Sequence, residues 1–555
     1  MSPRGVSSSF DGAAGSVSLS CSPSLPVSVS LRSSVMPQAL PGGSVDYVLE
    51  PPPIAPRELT GRVWDAVVVG GGHNGLTAAA YLARAGRSVV VLELRPPLGG
   101  ACTLERPFGD PRAIVSPCAY LVGLLDRTVV AELDLARHGY RVTLADPNLW
   151  CPLPDGRTVA QFLDPARTAE HLRGQGFSAR DVEGVVAYEE LFERLRVVLR
   201  DAWSGPSPSR DELVALAGED ASVLFEDSVT DVLARHVHDP DLQAALVGQG
   251  VIGTMAGPRD PGTAAIHLMH SMGEVEGVGG AWGYVEGGMG RGSAALAAAA
   301  TEAGAVLAVD APVASVLPGE GVVLESGDRI LGRAVVSNAD PKRLLAMLPD
   351  APAAFADRVA AWRTDSPVVK LNALLGRLPT WTAAAEGERP ERAMISISAG
   401  VDGMQAAADA CRAGAAAVGF CELYVHTAYD ASIAPPGKHM LSVFAQYAPY
   451  GTDTAFAGEL VLDAVAEHAP DVRDCIEELE VLAPHDIEAR IGLTGGHIFQ
   501  GEALPDLMWD RRWAPRTGID GVYLCGAATH PGGSVIALNG RNAARVVMQD
   551  LARPG

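Results

Sequence analysis

The sequence predicts an α/β protein, and three features carry that expectation. Trp64-Asp65-Ala66-Val67-Val68-Val69 is a short Val-rich run of the kind that fills a buried parallel strand. It leads into Gly70-Gly71-Gly72-His73-Asn74-Gly75, a small-residue helix over 76–85 stopped by Gly86, and a second Val-rich strand over 88–92, which together make a βαβ unit. Far downstream the pattern returns: an Ala-rich helix over 294–303 with a strand over 305–309, and near the end a strand over 521–525, a Gly-rich loop and a closing helix over 539–551.

Between these pieces the organisation changes. Residues 126–274 read as mostly helical and charged, with a loop at Gly205-Pro206-Ser207-Pro208. Short strands at 313–317, 322–325 and 334–337, separated by Gly-containing turns, read as a β-meander. Residues 342–484 form a second mixed insertion with strand-like runs at 368–375 and 440–447.

The length of 555 residues allows about three or four domain-sized units. Lys and Arg number 43 against 66 Asp and Glu, a net charge of −23. No nucleic-acid partner is expected, because phosphate backbones are held by clustered positive charge, and broad docking on anionic lipid is disfavoured. The eight cysteines are scattered with no Cys-x-x-Cys pair, which points to reduced thiols in a reducing compartment. No apolar run reaches the roughly 18 residues of a membrane span. Residues 1–60 are expected to be a disordered or targeting tail: the first 35 are Ser-rich, with Arg4 and Arg32. The chain is therefore expected to be cytoplasmic, with peripheral membrane contact left open, or in an organellar matrix if residues 1–35 are a transit peptide.

The chemistry-bearing signal is Gly70-x-Gly72-x-x-Gly75 between strand and helix. Gly70 permits the tight turn, Gly72 lets backbone approach a pyrophosphate, and Gly75 lets the helix pack on the strand. The helix start then offers N–H groups and positive dipole to phosphate. Glu93 closes the second strand about 20 residues on, where a carboxylate accepts both hydroxyls of a ribose and repels a 2′-phosphate. The ligand expected is FAD or NAD. Leu98-Gly99-Gly100-Ala101-Cys102 supplies a second loop able to reach the pyrophosphate, and with Glu93 and Arg95 it resembles the extended signature of FAD oxidoreductases of the glutathione-reductase structural class.

Five stretches carry a wider resemblance: Gly72-His73-Asn74-Gly75-Leu76, the run from Trp282 to Gly290, Ser337-Asn338-Ala339-Asp340-Pro341, Gln446-Tyr447-Ala448-Pro449-Tyr450, and Thr529-His530-Pro531-Gly532-Gly533. The chain resembles the phytoene desaturase-related flavoproteins, and within them the "pyridine nucleotide-disulfide oxidoreductase domain-containing protein 2" branch. That resemblance implies a glutathione-reductase-type FAD-binding Rossmann domain with an interleaved mixed α+β substrate domain. The FAD domain would comprise 62–130, 275–345 and 485–555, and the substrate domain 131–274 and 346–484. It further implies FAD contacts from His73, Asn74, Leu94, Arg95 and Ala101, from Val313 at the adenine, and from Gly526, Ala527, Gly533, Ser534 and Val535 along the ribityl chain and flavin.

The resemblance implies an FAD-dependent oxidoreductase of dehydrogenase or desaturase type, with hydride transfer between a hydrophobic small molecule and flavin N5. An amine or amino-acid oxidase on the same scaffold, or a flavin-binding regulatory protein with low turnover, are the alternatives. Neither a redox cysteine pair nor a second dinucleotide loop is found, so the electrons would pass to oxygen, a quinone or a carrier protein. His530, Tyr284 and His497 are the candidate catalytic side chains, each weighed against a purely structural role, and Trp282 is a candidate cavity wall. His267 and His270 lack a third ligand nearby, so no metal is expected. Asp510-Arg511-Arg512 reads as a solvated charge cluster.

Overall fold

The computed structural model describes residues 49–51 and 53–553. The expectations for residues 1–35 lie outside the described residues. Within the stretch read as a tail, Pro56–Leu59 forms a helical turn, Leu59 is buried, and its carbonyl accepts from Trp64 Nε1 at 3.0 Å. The packed body therefore begins before residue 60.

Two seven-stranded sheets organise the described residues. In the first, the order is Val313–Leu317, Gly321–Leu324, Arg329–Ser337, Val63–Val69, Val89–Leu92, Val306–Ala308, and Val522–Leu524 pairs with the far end of Arg329–Ser337. The central strands are parallel, as a βαβ crossover requires. Ala66, Val67 and Val68 are fully buried because helices and loops cover both faces of this sheet. His73–Arg84 lies on one face and packs against Gly290–Glu302 and Leu538–Leu551, whose small residues let three helices sit close. The downstream helix–strand pattern thus adds to the first sheet and does not start a second nucleotide-binding unit. The three strands over 313–337 are antiparallel neighbours.

The second sheet runs Ile476–Leu482, Val368–Leu375, His439–Gln446, Phe420–Val425, Met394–Ser398, Leu149–Pro152, Thr158–Gln161. Its outer face is a dry core: Val369, Leu371, Ala373, Leu423, Val443 and Ala445 pack with Val461 and Val465 of the helix Thr454–Ala466. No described helix is long and apolar enough to cross a membrane.

Asp340 couples the first sheet to the C-terminal segment. It is fully buried and caps Pro341–Ala346, accepting from Lys342 N at 2.9 Å and Arg343 N at 3.1 Å, while its other oxygen accepts from Thr494 Oγ1 at 2.7 Å. Asp340→Ala removes the cap and strands the Thr494 donors, so thermal denaturation should show a loss of about 1–3 kcal/mol.

Candidate functional site

The carboxyl ends of the first sheet's parallel strands open onto a cavity of about 580 Å³ that reaches under the second sheet. Gly70, Gly72, His73 and Asn74 line it from the first loop. Glu93, Leu94, Arg95, Gly100 and Ala101 line it from the end of the second strand and the loop after it. Val313 reaches it from the meander, and Ala527, Ser534 and Val535 from the loop before the last helix.

Gly75, Gly99, Gly526 and Gly533 stand behind this lining and set its shape. A Cβ on Gly75 would lie 2.1 Å from Gly70 O, so only glycine lets the helix start this close to the strand end. Gly99 N donates to Gly71 O at 2.9 Å and joins the two glycine loops. A Cβ on Gly526 would meet Gln500 Oε1 at 2.3 Å; this amide bridges the segments, donating to Asn338 O and accepting from Ala528 N. Gly533 has the same relation to Phe499, at 2.2 Å. Ser534 follows at φ +79°, a strained value for a side chain other than glycine and one that a binding loop can hold.

Glu93 is buried, with Oε2 accepting from Gly71 N at 2.7 Å and Oε1 from Arg95 N at 3.0 Å. Those two bonds fix the carboxylate and leave acceptor capacity for a ribose diol. Arg95 is turned to Gly100 O and Glu105. The helix over 73–84 has no side-chain cap and no acid in its first turn, so its N–H groups are open to an anion. His73 Nε2 and Asn74 Oδ1 are buried without partners beside it, and burial lowers His73 to about 4. Backbone donors, unpartnered polar atoms and a glycine cradle fit a dinucleotide cofactor with its pyrophosphate on the helix start.

The structure places His530, His497 and Tyr284 outside the cavity lining. His530 Nε2 donates to Ala202 O at 2.9 Å, tying the last loop to the long helix Ala179–Ser204, and burial holds its pKa down to about 4. His497 is fully buried; its Nδ1 accepts from Phe499 N at 3.2 Å, and desolvation, with nearby Arg512, lowers it to about 3. Tyr284 stacks on Tyr429 with ring centroids 4.6 Å apart, and burial raises its phenol. Trp282 does line the cavity. Arg512 corrects the reading of a solvated cluster: Asp510 and Arg511 are exposed, but Arg512 is 2% exposed. Its guanidinium donates to the carbonyls of Phe499, Glu502 and Ala527, holding the loop before the last helix by buried backbone acceptors.

Other cavity residues were not singled out in the sequence. Tyr120, Gln249, Lys370, Glu422, Tyr424, Phe444 and Gln500 face it, as does His270, which the sequence offered only as a metal ligand without a third partner. A signal for some was present: Lys370 and Asn372 alternate with apolar residues in an otherwise buried strand, as do Glu422 and Tyr424.

Comparison with known proteins defines the class. Residues 68–122 match the NAD(P)-binding Rossmann-like domain, and residues 256–548 match the flavin-containing amine oxidoreductases. The chain is 33% identical over 88% of its length, and 94% of the relative's, to pyridine nucleotide-disulfide oxidoreductase domain-containing protein 2 of Mus musculus. It is 26% identical to hydroxyneurosporene desaturase of Rhodobacter capsulatus over 88% of this chain and 98% of that one. Cyclohexylamine oxidase from Brevibacterium oxydans shares the fold, with a TM-score of 0.56 at 16% identity, covering 89% of this chain and 100% of that one. The chain belongs to the flavin-containing amine oxidoreductase family. It is an FAD-dependent oxidoreductase, in a family whose members include desaturases and amine oxidases.

If Glu93 holds the cofactor, Glu93→Ala should weaken FAD binding about tenfold or more, the worth of a charge-assisted hydrogen bond, with Glu93→Gln losing less. Titration of the apoprotein with FAD, followed by flavin fluorescence, measures this.

Proposed function

We propose that the chain dehydrogenates a small, mainly apolar molecule and passes the electrons to an external acceptor: oxygen, a quinone or a carrier protein. The observation that carries this reading is the continuity of one cavity from the glycine loops to an aliphatic and aromatic chamber. Leu121, Ile252, Val368, Met394, Phe444 and Phe499 line that chamber. Bound FAD supplies a hydride acceptor at its N5. The apolar side chains exclude water, which protects a hydride in transfer and strengthens polar contacts inside. His270 is buried neutral, lowered to about 4, with Nδ1 3.3 Å from Gln249 O, so it adds no charge to the chamber.

The family relative's name mentions disulfides, but no pair of described cysteines lines this chamber. The seven described cysteines are free. Cys118 lines the cavity, and burial pushes its thiol up to about 12, so it stays protonated. A second reading, an amine oxidase, is favoured by Glu422, a buried carboxyl group in the same cavity beside the stacked rings of Tyr120 and Tyr424. Hydrogen peroxide released with amines but not with polyenes would select it.

Ile252→Trp fills part of the chamber with a larger ring. It should leave FAD content unchanged while abolishing anaerobic bleaching of the flavin by apolar substrates. Bleaching by NADPH or NADH alone, or bleaching undiminished in the variant, would overturn the reading.

A further inference from the structure

The second sheet divides its side chains by the two-residue period of a strand. Ile395, Ile397, Cys421, Leu423, Val443 and Ala445 enter the outer core. The residues between them point to the other side, where one row runs in register across four strands: Lys370, Phe444, Glu422 and Ser396. Lys370 and Phe444 line the large cavity. Ser396 lines a second, smaller cavity of about 70 Å³. Glu422 lines both. In the adjacent row Ser442 Oγ donates to Asn372 Oδ1 at 2.9 Å, and Tyr424 OH donates to Glu422.

The two cavities differ in character. Around Glu422 the first is walled by Phe444, Met394 and Ile252. The second is walled by Asn148, Gln161, Ser396, Gln249 and Glu189. Its volume suits about two water molecules at liquid density, and such walls give them hydrogen-bond partners. It leads outward: Glu189 is exposed and accepts from Gln161 Nε2 at 2.9 Å. At the inner end Glu422 is 2% exposed and accepts from Gln249 Nε2 at 2.8 Å. Its two oxygens hold one donor each, Gln249 and Tyr424, and keep capacity for a proton. Of the other carboxyl groups lining the first cavity, Glu93 is tied to the glycine loop, Glu325 lies in the meander and Glu488 in the C-terminal segment. A carboxylate set between an apolar chamber and a polar passage can take a proton from one side and release it on the other.

We propose that Glu422 accepts the proton that the substrate loses on dehydrogenation, and that the second cavity carries it to solvent at Glu189. The proposal rests on the reading that the apolar chamber receives the substrate. Dehydrogenation removes two hydrogens. One leaves with its bonding electron pair, which bound FAD accepts, so the substrate is oxidised and FAD reduced. The other leaves as a proton to a Glu422 oxygen, and the electron pair of the broken bond becomes the new π bond of the product. The neutral acid then gives the proton to water in the second cavity and returns to the carboxylate. The groups acting on Glu422 are the donors Gln249 and Tyr424, Tyr120 stacked on Tyr424, and Lys370 along the row. His267 and His270, on the second cavity's wall, are lowered by burial to about 3 and about 4, so they stay neutral. Burial raises Glu422 to about 7, which suits a group that must both gain and lose a proton near neutral pH.

The test is infrared difference spectroscopy of FAD-loaded protein, photoreduced without oxygen in the presence of EDTA. Reduced FAD with a protonated Glu422 is the state that dehydrogenation leaves, and light-driven reduction reaches it without a substrate. The measurement is made at about pH 8, where Glu422 of the oxidised protein is mostly ionised. The negative charge added to the cavity favours the neutral acid. Reduction should therefore raise the carbonyl band of a protonated carboxyl group, and the band should shift in heavy water. Glu422→Gln should lose the band, and Glu189→Gln should keep it. Ser396→Val and Gln161→Leu each make a wall of the second cavity apolar, so the band should reach the same height but exchange into heavy water several-fold more slowly. Should Glu422→Gln fail to fold, Tyr424→Phe decides, because loss of this donor must move a band that belongs to Glu422. No carboxyl band on reduction, a band kept in Glu422→Gln, or a band unmoved in Tyr424→Phe would overturn the acceptor. Exchange as fast in Ser396→Val and Gln161→Leu as in the unsubstituted protein would overturn the route. If FAD does not bind the unsubstituted protein, the reading of the cavity fails. If FAD binds and is reduced but no carboxyl band appears, only the proton acceptor fails.

Discussion

Close approach of bare backbone at the carboxyl end of the first sheet is the constraint on which the rest depends. Gly75 must sit against Gly70 O, Gly99 N must reach Gly71 O, and Gly526 must pass Gln500 and Asn338 without a Cβ between them. Segments from opposite ends of the described chain meet there. The strand Arg329–Ser337 makes the meeting possible, because it pairs with Val63–Val69 on one side and with Val522–Leu524 on the other. Asp340 and Arg512 then tie the loops that leave these strands, using buried hydrogen bonds to backbone and to Thr494.

This arrangement reconciles an acidic chain with a phosphate-bearing cofactor. A net charge of −23 leaves little long-range attraction for an anion. The N–H groups at the start of the helix over 73–84 act only at contact distance, and the glycines allow that contact. Glu93 works in the same local way: two backbone donors fix its orientation, so its charge is directed to one place in the cavity.

The second sheet uses a different principle. Its outer face is closed by the helix over 454–466, while its inner face carries polar groups into a cavity that is otherwise apolar. Most of those groups satisfy one another, and the satisfied ones lock the row in place. Glu422 stands apart because it borders two cavities.

The βαβ unit, its glycines and Glu93 were legible in the sequence because their geometry is local. A tight turn, a helix start and a strand end lie within some 30 residues, and glycine is the residue such contacts demand. The α/β class followed from the same stretch. The direction in which His530, His497 and Tyr284 point was not legible, because each is set by surroundings that other parts of the chain supply: Ala202 for His530, Arg512 for His497, and Tyr429 for Tyr284. The same holds for Arg512, whose neighbours in sequence are solvated but whose guanidinium meets three buried carbonyls. The sequence by itself determined the glycine turn between the first strand and helix and the carboxylate at the end of the second strand, since backbone shape and helix ends depend on neighbouring residues. Only the tertiary structure decided what stands in the chamber, because the row of Lys370, Phe444 and Glu422 exists through the register of strands whose order in the sheet differs from their order in the chain.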